Sequence, residues 1–229
     1  MILVNVSREL AKPLGQHVRP ARIPELKRLQ PDLLWRAEVA QIGADTCVVA
    51  EELYTGYLLV FCGLSRQDFA HFPEVFGDRL LREATAICKL AELYDSPTLV
   101  RHLKILLYEQ QYVLNPEPLE EGRLVTVLET LEYQFLYDRQ PLPTDSRAAF
   151  EFGYSLNTRR PKNGRQQDPP GYQPSALEAL GNLCLNLMEP HIEAEQELIQ
   201  TGLPAADNIL PDTDNIVRVD FVQQRKLRG

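Results

Sequence analysis

Four basic side chains lie within seven residues of this sequence, in a stretch rich in proline and glycine: Arg159, Arg160, Lys162 and Arg165. Guanidinium groups present forked donors that suit phosphate and carboxylate oxygens. The stretch leads into a predicted helix at Ser175, and a helix N-terminus presents unpaired N–H groups with a partial positive charge. These five residues therefore form a candidate site for an anion or a nucleic-acid backbone.

The alternative interpretation, which we favour, is a disordered surface loop whose prolines and glycines keep it from folding. Tyr172 is the nearest aromatic residue that could stack on a base,. The whole chain is acidic, with 24 Lys and Arg against 32 Asp and Glu and a net charge of −8. Proteins that coat nucleic acid non-specifically are usually basic, so nucleic acid is an allowed but not a favoured partner.

The signatures of common catalytic and cofactor sites are missing from the sequence. It has no GxSxG elbow, no GxxxxGK[ST] phosphate loop and no GxGxxG fingerprint,. The four histidines are scattered without HxH or HxxxH spacing, so we expect no metal and no cofactor. Adjacent carboxylates such as Glu51-Glu52 are expected to be solvated. An active site assembled from residues that are distant in sequence stays open, because geometry defines such sites.

The four cysteines all lie in apolar runs and form no CxxC pair. Free cysteine is among the most buried residue types, and buried thiols are chemically quiet. We find no signal-peptide pattern and no run of about 20 apolar residues, so we expect a cytoplasmic protein that does not bind a membrane. The cysteines are therefore expected to be reduced core thiols: Cys47, Cys62, Cys88 and Cys184.

The C-terminal stretch offers a second candidate contact. A polar linker over 204–215 precedes residues 216–222, which alternate apolar and polar side chains as a strand does,. This strand either completes the chain's own sheet, which we favour, or adds to the sheet edge of another protein or a second copy of the chain. The second case predicts a protein partner or a homo-oligomer that forms through 216–222.

Hydrophobic periodicity predicts the elements that must position these residues. Alternating or continuous apolar runs predict strands, and short connections between them favour antiparallel neighbours. Intervals of three and four predict amphipathic helices, and Ser175 with Glu178 has the spacing of a capping box. The predicted strands are 2–6, 35–40, 46–50, 57–61, 149–156 and 216–222, and the predicted helices are 74–94, 97–108, 121–138 and 175–188.

The predicted fold class is α+β, with a mainly antiparallel sheet packed against several helices. Residues 1–201 are expected to form a single domain with a helical insertion at about 95–145. Residues 202–229 are expected to form a C-terminal tail that ends in a strand.

Several motifs, taken in order, resemble those of an uncharacterised family of bacterial domains of unknown function. The resemblance covers about residues 1–188. It implies a compact α+β domain and no known activity, so no catalytic residue follows from it. The motifs are the opening MILVNVSREL, Trp35, TGYLLVFCGLSRQDF at 55–69, Asn157-Thr158, and the Ser175 helix with Asn182-Leu183, in which Gly181 stands where the family has Met.

The function expected from the sequence is that of a non-catalytic interaction or regulatory protein. One alternative is a binder of nucleic acid or a phosphate ligand through the loop 159–165. The other alternative is an enzyme whose site is assembled from distant residues.

Overall fold

The computed structural model of this chain describes residues 1–20, 31–90, 97–114, 122–159 and 174–187. All of them belong to the unit Met1–His191. The predicted strand 216–222 and the predicted tail lie outside the described residues. No helix in the described ranges has both the length and the apolar character needed to cross a membrane.

A six-stranded mixed sheet organises the described residues, in the order β2-β6-β1-β3-β4-β5. Five of these strands point the same way and β4 runs opposite to them, because the first three neighbouring pairs are parallel and the last two are antiparallel. The strands are β1 (Ile2–Val6), β2 (Val18–Arg19), β3 (Leu33–Ile42), β4 (Asp45–Glu52), β5 (Leu58–Phe61) and β6 (Gln110–Leu114).

The α+β class is confirmed, but the prediction of a mainly antiparallel sheet is wrong. The rule that short connections give antiparallel neighbours holds for the hairpins that join β3 to β4 and β4 to β5,. It does not apply to β1, which pairs in parallel with β3 after the long connection 7–32. β6 was not predicted at all, and it lies between β2 and β1 although it comes from the segment expected to be a helical insertion.

The four helices predicted from apolar intervals are confirmed over the residues that the structure describes, and their starts differ from the predicted ones by at most two residues. Their starts follow the expected chemistry: Pro97 is the first residue of its helix, and Ser175 precedes another,. The helices are α1 (Arg8–Leu14), α2 (Arg66–Ala70), α3 (Phe72–Leu90), α4 (Pro97–Tyr108), α5 (Arg123–Leu136), α6 (Ser146–Asn157) and α7 (176–187).

The predicted strand 149–156 is wrong, because these residues form most of α6. The Asp145 side chain caps this helix by accepting hydrogen bonds from the backbone N–H groups of Arg147 and Ala148, at 3.0 and 2.9 Å,. The buried residues of α6 are Ala149, Gly153 and Asn157. Their spacing of four is helical, and it outweighs the alternation seen in AFEFGYSL.

Helices cover the β3–β5 half of the sheet on both faces. α5 packs its apolar side on the face that carries Cys47, Val49 and Val60. On the other face, Trp35 makes an edge-to-face contact with Phe76 of α3, at 5.3 Å between ring centroids,. The two helical layers therefore bury the side chains on both faces of β4 and β5.

Candidate functional site

The structure describes two of the five residues of the predicted basic site. Arg159 is exposed just beyond the end of α6, and Ser175 is buried at the start of α7. No hydrogen bond or ion pair joins these two residues within the described ranges. Arg160, Lys162 and Arg165 lie outside the described residues, so the site as a whole stays a prediction.

The predicted capping box of Ser175 and Glu178 is confirmed. The backbone N–H and the hydroxyl of Ser175 donate to Glu178 Oε2 at 2.7 and 2.9 Å, and the Glu178 N–H donates to Ser175 Oγ at 3.3 Å. The N-terminus of α7 therefore already holds a carboxylate from its own first turn. An external anion near Ser175 would have to overcome that negative charge.

The cysteines are free, buried thiols, as predicted. Burial raises the pKa of Cys88 and raises that of Cys184 to about 12, so both are protonated and unreactive at neutral pH. Cys47 and Cys62 differ from them, because each of these two thiols shifts the pKa of the other. In the described part of the chain, no three His, Cys, Asp or Glu residues come close enough to hold a metal ion.

A buried ionic cluster that the sequence did not predict lies between α3 and the start of β5. The Tyr57 hydroxyl donates to Glu83 Oε2 at 2.5 Å, and Arg79 Nε pairs with Glu83 Oε1. Arg79 Nη1 donates to the Ser146 carbonyl at 3.0 Å. Burial raises the pKa of Glu83 against the opposing effect of Arg79, and burial next to Glu83 raises the pKa of Tyr57,.

This cluster joins α3 to the sheet and to α6. Both oxygens of Glu83 are used by internal donors, while Arg79 Nη2 is buried and has no hydrogen-bond partner among the residues that the structure describes. The sequence held a weak signal of this arrangement, because Arg79 and Glu83 are four residues apart on one helix face. Tyr57 could not be assigned to them without the tertiary fold.

Glu52 is another buried carboxylate, and the expectation that it is solvated is wrong. Its side chain accepts from the backbone N–H groups of Tyr54 and Thr55, at 2.9 and 2.7 Å, and from the Thr55 hydroxyl at 2.8 Å. It also accepts from the Leu34 N–H at 3.3 Å. Glu52 thus holds the four-residue turn 53–56 that joins β4 to β5.

The described surface also carries a strip of large apolar side chains, which the sequence did not reveal. Tyr133, Leu136 and Tyr137 are 57, 52 and 71% exposed. The two tyrosine rings stack with their centroids 5.0 Å apart. We call these three residues the α5 strip.

The α5 strip lies on the side of the helix opposite the core. At about 100° per residue, Leu124, Leu128 and Leu131 fall on one side of α5, where they pack on the sheet. The strip residues fall about half a turn away from them. Their exposure therefore follows from their position around the helix axis.

Charged side chains surround the α5 strip. Glu129, Glu132 and Asp138 are exposed beside it, and Arg139 follows them. The acidic side chains outnumber the basic one, as they do in the whole protein with its net charge of −8. A positively charged partner would therefore be attracted to this surface.

Neither a family model nor a curated protein matches this sequence.

Proposed function

We propose that this chain is a non-catalytic interaction protein that binds a protein partner through the α5 strip. The observation that carries the proposal is the exposure of Tyr133, Leu136 and Tyr137 on the solvent side of a helix whose other side is fully packed. Tyrosine is enriched at the energetic centres of protein interfaces, and clustered exposed apolar side chains mark interaction sites.

The chemistry of the strip specifies a basic partner. Stacked tyrosine rings attract Lys and Arg side chains through cation–π contacts. The neighbouring Glu129, Glu132 and Asp138 supply carboxylates for the same cations,. A partner segment with Lys or Arg around an apolar anchor fits both features, and the affinity is expected to fall as salt increases.

The two other hypotheses from the sequence stay predictions. Binding of nucleic acid or a phosphate through 159–165 would require Arg159 and Arg160 to contact the ligand, so changing both to Glu should abolish binding and its salt dependence. An enzyme would need a reacting group that is free to bind substrate. The carboxylate oxygens of Glu52 and Glu83 are instead engaged in hydrogen bonds within the fold.

Site-specific cross-linking in cells of the source organism tests the proposal. The photo-cross-linker benzoylphenylalanine, placed at position 137 of the full chain instead of tyrosine, should form a cross-link to a protein partner. The cross-linked segment of that partner should contain Lys or Arg. The matched control position is Tyr54, which is 64% exposed in the β4–β5 turn and lies outside the strip. Adding Tyr133→Ala to the Tyr137 probe should lower the captured amount about tenfold, the loss expected at an interface centre.

Three results would contradict the proposal. One is equal capture from positions 137 and 54, which indicates non-specific contact. Another is no capture at either position. The third is an intramolecular cross-link from position 137 to the chain's own basic stretch 159–165, which would show that the strip is covered from within.

A further inference from the structure

We propose that Cys47 and Cys62 form a reversible disulfide, so that the β4–β5 hairpin carries a redox modification site. This inference does not depend on the proposed interaction function. It rests on the position of the two residues at the end of the β4–β5 hairpin and on their place in one buried cluster.

The end of the β4–β5 hairpin brings Cys47 next to Cys62. Val48 is opposite Phe61, the last residue of β5, and the Leu64 N–H donates to the Thr46 carbonyl at 3.1 Å, so Cys62 and Gly63 both lie across from Cys47. Both side chains belong to the same buried cluster under α5. The two thiols therefore lie on one face of the sheet.

The hydrogen bonds along the hairpin identify the type of pair. Glu52 N donates to the Tyr57 carbonyl at 2.8 Å, so Glu52 and Tyr57 are a hydrogen-bonded pair. Leu58 directs its N–H and C=O away from β4, to Asn157. Pairs alternate in an antiparallel ladder, so the position after the Val48–Phe61 pair, where Cys47 and Cys62 lie, is a non-hydrogen-bonded one, and a regular pair of that type has Cα atoms about 4.5 Å apart,. Disulfides accept Cα separations of roughly 4.4–6.8 Å.

The buried Glu52 maintains this alignment. Its side chain holds Tyr54 and Thr55 in the turn, and the Gly56 N–H donates to the Glu52 carbonyl at 2.7 Å. A turn two residues shorter, with Glu52 opposite Thr55, would have placed Cys47 opposite Val60. The cysteine pairing is therefore a consequence of the turn that Glu52 organises.

The two thiols are chemically unequal. The neighbouring Cys62 thiol, and to a lesser extent the Gly63 backbone N–H, lower the pKa of Cys47, although burial opposes them. The neighbouring Cys47 and burial raise the pKa of Cys62. Cys47 is therefore the nucleophile of the pair, and Cys62 is the thiol that resolves the intermediate.

A hydroperoxide is the oxidant that fits this buried pair, because hydrogen peroxide is small. The Cys47 thiolate attacks one peroxide oxygen and the O–O bond breaks, which leaves a sulfenic acid and one water once a proton is taken up. The Cys62 sulfur then attacks the Cys47 sulfur, the S–O bond breaks, and the Cys62 proton leaves in a second water. Two thiols and one peroxide give one disulfide and two waters.

The test is a thiol count on the full reduced chain before and after hydrogen peroxide, with alkylation after unfolding. The number of alkylated cysteines should fall from four to two, and digestion should recover a peptide that joins residues 47 and 62. Dithiothreitol should restore all four thiols. Cys62→Ser should prevent the loss of two thiols, whereas Cys88→Ser should still lose Cys47 and Cys62 together.

Two outcomes would overturn the proposal. In one, the four thiols of the wild-type chain remain alkylatable after peroxide treatment. In the other, the recovered disulfide contains Cys88 or Cys184. Peptide mapping of the wild-type chain is sufficient to distinguish these outcomes from the expected one. The test therefore does not depend on whether the variants fold.

Discussion

Three buried polar side chains show how single residues shape this protein. Glu52 organises a turn, Glu83 joins α3 to Tyr57, and Asn157 hydrogen-bonds to β5. A buried polar group costs free energy unless its hydrogen bonds are made. In each of these cases the partners come from an element distant in sequence or from a tight turn. These residues therefore stabilise one specific arrangement of the elements.

Glu83 should give the stability of the protein a distinctive pH dependence. Burial raises its pKa above the ordinary value of 4.5, against the effects of Arg79 and Tyr57. The folded chain therefore binds this proton more tightly than the unfolded chain. The contribution of Glu83 to the free energy of unfolding is then largest at low pH, and it falls as pH rises through the folded pKa.

The comparison with Glu83→Gln isolates this effect from the other carboxylates. Urea unfolding of both proteins between about pH 4 and 8 gives the difference in the free energy of unfolding, wild type minus variant. We expect that difference to decrease as pH rises. A difference that increased with pH would show that the Arg79 ion pair outweighs desolvation, and would contradict the assignment.

At the scale of elements, the edge strand β5 is covered by a helix. The Asn157 side chain accepts from the Leu58 N–H and donates to the Leu58 carbonyl, both at 2.8 Å. One turn earlier, a methyl group built on Gly153 would lie 3.6 Å from the same carbonyl. α6 therefore occupies the position of a further strand and protects the sheet from edge-to-edge pairing.

Asn157→Ala should destabilise the protein by about 1–3 kcal/mol, because it leaves buried polar groups of Leu58 without partners. Asn157→Asp should also destabilise it, since a carboxylate can accept from the Leu58 N–H but cannot donate to the Leu58 carbonyl. Chemical denaturation measures both changes. Wild-type stability in Asn157→Ala would show that α6 covers β5 without needing this amide.

Gly153→Ala is the matched control on the same side of α6. The added methyl has room at ordinary van der Waals distance, and alanine favours a helix interior by roughly 0.5–1 kcal/mol over glycine. We expect this variant to be as stable as the wild type or slightly more stable. A clear loss of stability would mean that α6 lies closer to β5 than the structure shows.

The same region shows where prediction from the sequence succeeds and fails. Apolar intervals located α3, α4, α5 and α7, because each of these helices buries a single long stripe,. α6 was mistaken for a strand, because its phenylalanines and tyrosine alternate with polar residues. Its helical signal is carried by small or polar buried residues, Ala149, Gly153 and Asn157, which hydrophobicity does not detect.

Strand partners were harder to predict than the strands themselves. The strands β1, β3, β4 and β5 are close to their predicted positions. The pairing of β1 with both β3 and β6, however, depends on contacts between residues that are distant in sequence. The opposition of Cys47 and Cys62 depends on a turn of four residues, whereas the sequence marked only Thr55-Gly56. Of the candidate sites, the cluster of basic residues could be found in the sequence. The α5 strip could not, because finding it requires knowledge of which side of the helix is buried.

At the scale of the whole molecule, both edges of the described sheet discourage another strand. α6 covers β5, and β2 has two residues with Arg19 exposed. Short, charged edges resist pairing. The same edges would face a strand of this chain or of a second copy, so both alternatives for the predicted strand 216–222 stay predictions.

Val219→Pro in the full chain distinguishes the two alternatives, because proline removes a backbone donor from the centre of the predicted strand. If 216–222 pairs with a second copy, light scattering shows a fall in mass from an oligomer to a single chain, with the free energy of unfolding unchanged within about 0.5 kcal/mol. Val219→Thr is the control, since threonine keeps the N–H and favours strands. A mass equal to one chain for wild type and variant alike, with lower stability in the proline variant, would instead show that 216–222 completes the chain's own sheet.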